Sequence, residues 1–468
     1  MYYLMPIVFI FGILGIAFEE KMRINKTAIA LLMCIVLWLL LMFNAHTILV
    51  EKANLGFAKY VQLEHIANLS IQEQIVRYLS EESFIPHLGE VAQTLFFVMC
   101  ALLIVHIVDK HGGFLAIARF IHTERKRRLL WYMGFATFFF SALFNNLAAA
   151  IVLIAILRKL VPDKTDRIKY ACIIILAANA GGSWSPIGDI ATLLLWTSGN
   201  ITAVQQISHL FLPALVNLLV TLTAAHFFLF KKNSVLRQKG ELTRDEIYAE
   251  HIPEKSRIII FWIGILSLAF VPVFQTITHL PAFMCVLLGL VFLWIYTDLM
   301  YGKINEIRDS SKLRIDKLSH AVDLPTILFF LGILMSVAAL NVGGQLGLFA
   351  DILTAHLGHP YLINIMIGVV SPIVDNVALV AASIAMFPVA DASMELTPYM
   401  QYFVVDGGFW TLLAYCAVAG GNILIFGSAT GVAVMGMEKI SFGYFLRRFT
   451  PLALLGYLAG IGVFLLMN

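Results

Sequence analysis

Long apolar runs separated by short polar segments dominate the chain. A membrane-spanning helix needs about 20 mainly apolar residues. Two long apolar regions, 168–198 and 402–437, are interrupted by Gly, Pro and polar residues, and two more, 129–160 and 361–387, carry polar residues in their middles. The remaining runs predict eight spanning helices, at 2–18, 27–48, 88–108, 207–230, 257–274, 280–299, 324–341 and 449–467. The pattern predicts an all-α polytopic membrane protein with about ten spans, two of them broken, and two re-entrant hairpins.

The composition agrees with this pattern. The 468 residues are 60% hydrophobic and only 13% charged, whereas a soluble domain carries about 25% charged residues. A net charge of +3 does not favour nucleic acid as a partner. The five cysteines lie in apolar stretches without a CxxC pair, so we expect free thiols, no structural zinc and no cofactor.

Basic residues in short loops mark the cytoplasmic side of a membrane protein. Both ends of the stretch 129–160 are basic, and about 30 residues are too few for two full spans, so we expect a hairpin entering from the cytoplasm. From Leu318 to Glu438 there is no Lys or Arg, and the second hairpin, 361–387, is expected to enter from outside. Both termini are then predicted to lie outside.

The two halves of the chain resemble each other. Ser141-Ala-Leu-Phe-Asn-Asn146 corresponds to Ser371-Pro-Ile-Val-Asp-Asn376, and Ala180-Gly-Gly182 corresponds to Ala419-Gly-Gly421. Because the charge pattern orients the halves oppositely, it predicts inverted repeats, which place a binding site near the bilayer midplane. The resulting division is 1–84 for N-terminal spans and an external loop, 85–230 for repeat 1, 231–320 for connecting spans and loops, and 321–468 for repeat 2.

Four polar clusters are predicted to meet at that site. Gly and Pro open a helix, and the freed carbonyls, together with side-chain oxygens, suit a small hard cation such as Na⁺. The predicted ion-binding residues are Ser141, Asn145 and Asn146 at the first tip; Asn179, Ser185, Asp189 and Thr192 in the first break; Ser371, Asp375 and Asn376 at the second tip; and Asn422, Ser428 and Thr430 in the second break.

Asp189 and Asp375 are the most informative members of this set. An ionisable residue at membrane depth is costly and indicates function. Burial raises the pKa of a carboxyl group in general, and such a group can hold a proton or help to hold Na⁺, but not easily both. That competition is the minimal chemistry of a cation/proton antiporter.

Together, these clusters resemble those of the NhaD-type sodium/proton antiporters of the ion transporter superfamily. The residues that carry the resemblance are 141–146, 179–189, 371–376 and 427–436. The resemblance implies exchange of cytoplasmic Na⁺, with Li⁺ as an alternative cation, for external H⁺. It also implies a homodimer in a bacterial inner membrane, with a transport unit that moves as an elevator against a scaffold.

The first repeat departs from the pattern of that family. Asn145 stands where the family usually has Asp, Ala148–Ala150 replace a Thr-rich run, Ala191 replaces a Thr, and His106 stands where an acid is common. The second repeat retains its pattern. These departures leave the ion stoichiometry and the choice of cation open.

Two other readings remain open at this point. A Na⁺-coupled carrier of a carboxylate or oxyanion can use the same architecture, although Asp375 would repel an anion. An intramembrane aspartyl protease could use two acids that share a proton, but it needs neither the repeat nor opposed hairpins. The chain has no HExxH or GxSxG motif, and we expect a transporter rather than an enzyme.

Overall fold

A computed structural model gives the fold. It describes residues 4–17, 22, 24–51, 55–63, 68–113, 123, 125–230, 252–303, 324–374, 376–391, 396–425 and 427–468. The regular structure of these segments is helical. The chain order is α1 Leu4–Ala17, α2 Lys26–Phe43, α3 Leu55–Leu63, α4 Ile71–Arg77, α5 Ile85–Lys110, α6 Lys126–Phe144, α7 Asn146–Leu160, α8 Lys164–Ser183, α9 Ile190–Thr197, α10 Ala203–Phe228, α11 Glu254–Ala269, α12 Val271–Thr278, α13 Ala282–Lys303, α14 Leu324–Val342, α15 Gln345–Leu357, α16 Pro360–Val370, α17 Asn376–Met386, α18 Gly408–Gly420, α19 Ala429–Glu438, α20 Phe442–Arg448 and α21 Thr450–Met467.

Seven of the eight predicted spans each overlap one α-helix, whereas the span predicted at 257–274 covers α11 and part of α12, which are separated at Phe270. Within the described segments, six helical stretches are long and apolar enough to cross a membrane: α2, Ile71–Lys110, α10, Ala282–Gly302 within α13, α14 and α21. A seventh results if α15 and α16, bent by 111° between them, are counted as one span. The all-α prediction is confirmed, whereas the count of about ten spans stays a prediction.

The four interrupted regions are broken where the polar clusters predict. Asn145 alone separates α6 from α7, and residues 184–189 separate α8 from α9. Residues 371–374 follow α16 and lie outside both α16 and α17, and a short 3₁₀ turn at Gly421–Ile423 follows α18. Gly, Pro and Asn tolerate the backbone angles that such breaks require.

These broken segments pack together in the same way in both halves. The pair α6 and α7 packs on α8, and the pair α16 and α17 packs on α18. The two supporting helices α8 and α18 also contact each other, and both are buried along most of their lengths. Around them, α2 packs on α14, α5 on α13 and α14, and α10 on α21.

A buried ion cluster connects the two halves at one end. Glu438, the last residue of α19, is 2% exposed. Its carboxylate accepts from Nε of Arg158 at 2.6 Å and from Nε of Arg167 at 2.7 Å. Since a buried carboxylate without partners costs several kcal/mol, these bonds fix α19 to α7 and α8.

His111 connects the end of α5 to the end of α13. Its Nδ1 lies 2.7 Å from the carbonyl oxygen of Ile107, which can only accept, so Nδ1 carries the proton. Its Nε2 then accepts from the Tyr301 hydroxyl at 3.0 Å. Burial lowers the pKa of His111 from 6.5 to about 4, and the ring is neutral at neutral pH.

This arrangement predicts a loss of stability in acid. Because the folded-state pKa lies below the unfolded one, the unfolded protein binds the proton more tightly, and stability falls as pH drops from 6.5 towards 4. The apparent Tm of the purified protein should fall more steeply over this range than that of a His111→Asn variant. Parallel Tm curves for the two proteins would contradict the assignment.

Candidate functional site

One serine in each hairpin attaches the tip to its supporting helix. The Ser141 hydroxyl donates to the carbonyl oxygen of Ala178 at 2.5 Å. The Ser371 hydroxyl donates to the carbonyl oxygen of Ala417 at 2.6 Å. Neither serine lines a cavity described below, and their hydroxyls serve in this structure to hold the tips in place.

Paired glycines allow the backbones to approach closely. A Cβ on Gly181 would overlap the carbonyl oxygen of Phe138, and a Cβ on Gly420 would overlap that of Gly368. The two ends of the first break also meet, since a Cβ on Gly182 would lie 2.7 Å from the carbonyl oxygen of Gly188. These glycines are required by packing between main chains, which leaves no room for a side chain.

The first tip turns at a residue with unusual backbone angles. Asn145 has φ 76° and ψ 144°, a region that residues other than Gly rarely adopt. Its Oδ1 accepts from the backbone N–H of Leu147 at 3.0 Å. The backbone N–H of Asn146 donates to the carbonyl oxygen of Gly188 at 2.9 Å, so the tip is joined directly to the first break.

Asp189 lies where the two hairpins meet. It is 3% exposed and caps the N-terminus of α9, with Oδ1 accepting from the N–H of Ala191 at 2.8 Å. Oδ1 also accepts from Nδ2 of Asn376 at 3.0 Å, and Oδ2 accepts from Nδ2 of Asn146. One buried carboxylate therefore receives an amide donor from each hairpin.

A second layer of amides supports this carboxylate. Asn179 Oδ1 accepts from Nδ2 of Asn146 at 3.0 Å. Its Nδ2 donates to Oδ1 of Asn422 and to the Ser428 hydroxyl, each at 2.9 Å. Asn422 in turn donates to the carbonyl oxygen of Leu176 at 3.1 Å. Both breaks and both tips thus share one buried hydrogen-bond network.

Four half-helices begin at this network. Asn146 and Asn376 are the first residues of α7 and α17, and Asp189 and Ser428 are the N-caps of α9 and α19. The N-terminus of a helix carries a partial positive charge. The positive ends surround the Asp189 carboxylate and favour negative charge at this point.

The space beside Asp189 is very small. One cavity of about 30 Å³ is lined by Asp189, Asn145, Asn146, Asn376 and residues of α5 and α14, and a second of about 20 Å³ lies against Asn145 and Asp189. A cavity needs a volume of about 10–15 Å³ to hold a single water. No described lining residue is Lys or Arg, and each cavity suits a water molecule or a bare ion.

The remaining residues of the predicted ion-binding set differ in what they contact. The Thr192 hydroxyl donates to the carbonyl oxygen of Ser185 at 3.0 Å and accepts from the Asp189 N–H, which makes it part of the cap. Thr430 is fully buried, and its hydroxyl has no hydrogen-bond partner among the described residues. Asp375 lies outside the described residues, and its expected place beside Asp189 stays a prediction.

Thr326 was missing from the predicted set. It lines the 30 Å³ cavity, together with Phe330 of the same helix. A single threonine in an apolar span gives no signal of its own.

Comparison with known proteins identifies the family. Residues 7–405 match the family described as Citrate transporter (CitMHS). The chain belongs to this family. It is therefore a multi-pass membrane transporter, and the expected membership in the ion transporter superfamily with NhaD-type relatives is confirmed.

Two named relatives resemble it over most of their length. The chain is 37% identical to "Sodium/proton antiporter 1" of Arabidopsis thaliana, over 99% of this chain and 72% of the relative. It is 30% identical to "Na(+)/H(+) antiporter NhaD" of Vibrio cholerae, over 82% of this chain and 80% of that protein. The family description and the relatives' names thus point to different substrates.

A solved structure shares the fold. The chain superimposes on the YdaH transporter of Alcanivorax borkumensis with a TM-score of 0.57, covering 95% of this chain and 98% of that one. Sequence identity is 13%, and the likeness concerns the fold alone.

The close contacts of Gly181 and Gly420 predict how alanine substitutions there change the thermal stability of the protein. Gly181→Ala and Gly420→Ala each place a methyl group against a main-chain oxygen, and overpacking of this kind costs about 1–3 kcal/mol. Thermal unfolding in detergent should show a clear drop in Tm for both. Gly462→Ala in α21, whose Cβ would meet nothing within 4 Å, should leave Tm unchanged or slightly raised. Equal Tm values for all three would show that the close approaches do not matter.

Proposed function

We propose that this transporter exchanges Na⁺ for H⁺, with Asp189 as the carboxylate for which the two ions compete. The observation that carries the proposal is a buried acid beside an ion-sized cavity, surrounded by neutral amides from both hairpins. The names of the Arabidopsis and Vibrio relatives support the same ions.

The geometry suggests how the competition works. In the ionised form, Asp189 offers negative oxygens to a small cation, and Asn145 and Thr326 supply further oxygens on the same cavity wall. In the protonated form the carboxyl group is neutral, and the cation loses its main attraction. The network holds the carboxyl group in one place in both forms, since its donor Asn146 is itself fixed by bonds to Asn179 and to the N–H of Leu147.

The family description raises citrate as a second candidate substrate. Pockets for small organic molecules usually measure about 300–1,000 Å³, whereas the cavities beside Asp189 measure about 20 and 30 Å³. The positive half-helix ends, which could attract an anion, surround the protein's own carboxylate. Both features favour a cation over a tricarboxylate.

We also propose that the two halves are inverted repeats and that their broken segments move together as an elevator. The recurrence of the serine and glycine contacts in both halves supports the repeat. The Glu438 cluster supports movement as one body, because it ties repeat 2 to repeat 1. Transport of Na⁺ outwards, Li⁺ as an alternative cation, the homodimer, termini outside and a bacterial inner membrane remain parts of the proposal.

Replacement of Asp189 tests the proposal. Asp189→Asn keeps the shape of the side chain and removes its charge. Because the variant has no carboxyl proton to exchange and no charge to attract Na⁺, Na⁺-dependent proton movement in proteoliposomes should fall by at least about a hundredfold, which is about 2.7 kcal/mol. Asp351→Asn, at an exposed position on α15, is the control and should exchange like the unmodified protein.

Two outcomes would contradict the proposal. One is a folded Asp189→Asn protein that exchanges Na⁺ and H⁺ at the normal rate. The other is an unmodified protein that shows no response to Na⁺ but takes up labelled citrate, which would favour the anion carrier.

A further inference from the structure

A larger chamber lies on the same seam as the Asp189 cavities. It measures about 410 Å³ and is bordered by four helices, α5, α9, α14 and α17. Two of these, α9 and α17, begin at the Asp189 network. The polar lining residues are His87, Glu90, Gln93, Thr94, Thr197, Ser198 and Asn341.

The same four helices border the 30 Å³ cavity at shifted positions. The 20 Å³ cavity is bordered by two of them, α5 and α9, together with α6 and α11. On α5 the chamber is lined by residues between 87 and 94, and the small cavities by residues between 97 and 102. On α14 the chamber is lined by residues between 334 and 341, and the 30 Å³ cavity by residues between 326 and 330. On α9 the lining residues of the chamber lie within Leu194–Ser198, and those of the small cavities are Asp189, Ile190 and Leu193. The lining residues on α17 are displaced in the same direction along the chain. The chamber is therefore displaced along the seam in one direction, by roughly 10 Å at 1.5 Å per helical residue.

Apolar side chains separate the two spaces. Leu193, 2% exposed, and Phe97, 4% exposed, line the 20 Å³ cavity on the side that leads to the chamber. Val380 of α17 lies between the chamber residues and the site residues of that helix and is fully buried. The path along the seam is closed between the chamber and Asp189 in this structure.

The chamber has the chemistry to hold a hydrated cation. Its volume of about 410 Å³ is far above the about 10–15 Å³ that one water needs, so it holds many waters. Glu90 is the only carboxylate among its described lining residues, and none of these is Lys or Arg. The carbonyl end of α9, at Thr197 and Ser198, also lies on the chamber, and a helix C-terminus attracts cations.

The charge pattern assigns the chamber to one side of the membrane. Acidic residues, Glu73, Glu81 and Glu82, precede this end of α5, whereas its other end is followed by Lys110 and the run Arg125–Arg128. By the rule that basic segments stay in the cytoplasm, the chamber opens to the outside.

We propose that this chamber is the external vestibule of the transport path, and that Glu90 binds a hydrated monovalent cation there as a second site. The inference rests on the proposed function, because it names the route by which ions reach Asp189. Glu90 concentrates cations at the seam, and Asp189 selects and releases them further along it.

Side-specific labelling tests the vestibule without reference to transport. A cysteine at Ala385 or Ser198 in the chamber should react with a charged, membrane-impermeant thiol reagent in right-side-out vesicles and not in inside-out ones. Leu299→Cys, exposed on the outer face of α13, is the lipid-facing control. The parent protein, whose described cysteines are buried except for the half-buried Cys34, sets the baseline. Reaction from the cytoplasmic side alone, or from neither side, would overturn the assignment.

Neutralising Glu90 tests the second site. In proteoliposomes with Na⁺ supplied on the chamber side, Glu90→Gln should raise the half-saturating Na⁺ concentration by about threefold or more, because focused negative potential raises local cation concentration. Glu82→Gln, an exposed acid outside the chamber lining, should change it little. High concentrations of choline chloride should reduce the difference by screening.

The outcomes separate this inference from the proposed function. If the unmodified protein exchanges Na⁺ and H⁺ but Glu90→Gln and Glu82→Gln behave alike, the second site is wrong and the function stands. If the unmodified protein shows no Na⁺-dependent exchange while the chamber cysteines are labelled from outside, the vestibule stands and the proposed function fails.

Discussion

A single buried carboxylate imposes the constraint on which the site depends. Asp189 is almost completely shielded from water, and a carboxylate in that position needs several donors or a counter-ion. The protein supplies two side-chain amides and a backbone N–H, and the amides come from opposite hairpins. Because one side chain receives donors from both tips at once, the broken segments of the two halves assemble around it.

Close main-chain contacts make this assembly feasible. Glycines at 181 and 420 let each hairpin approach its supporting helix without an intervening side chain, and the Ser141 and Ser371 hydroxyls fix the tips there. The unusual backbone of Asn145 at the cavity wall is held by these surrounding contacts, as strained backbone angles require. The candidate site is therefore held together by main-chain contacts, and apolar residues close the seam that leads to it.

The sequence predicted the helices, the four breaks and most of the residues that form the network, because Gly, Pro, Asn and Asp are conspicuous where they interrupt apolar runs. It could not distinguish a ligand from an anchor: a serine hydroxyl at a hairpin tip can do either, and Ser141 and Ser371 bond to the main chain. Nor could it foresee features assembled from distant segments. The Glu438 cluster joins residues about 280 positions apart, and the chamber near Glu90 draws on four helices, each of which contributes only one or two turns.

The competition of two ions for Asp189 is tested most directly by counting protons when Na⁺ binds. Titration calorimetry of the purified protein, in buffers of different ionisation enthalpy and at several pH values, gives both the Na⁺ affinity and the number of protons released. The account predicts proton release on Na⁺ binding and an affinity that rises with pH, both lost in Asp189→Asn. Na⁺ binding of constant affinity across pH, without proton release, would contradict it.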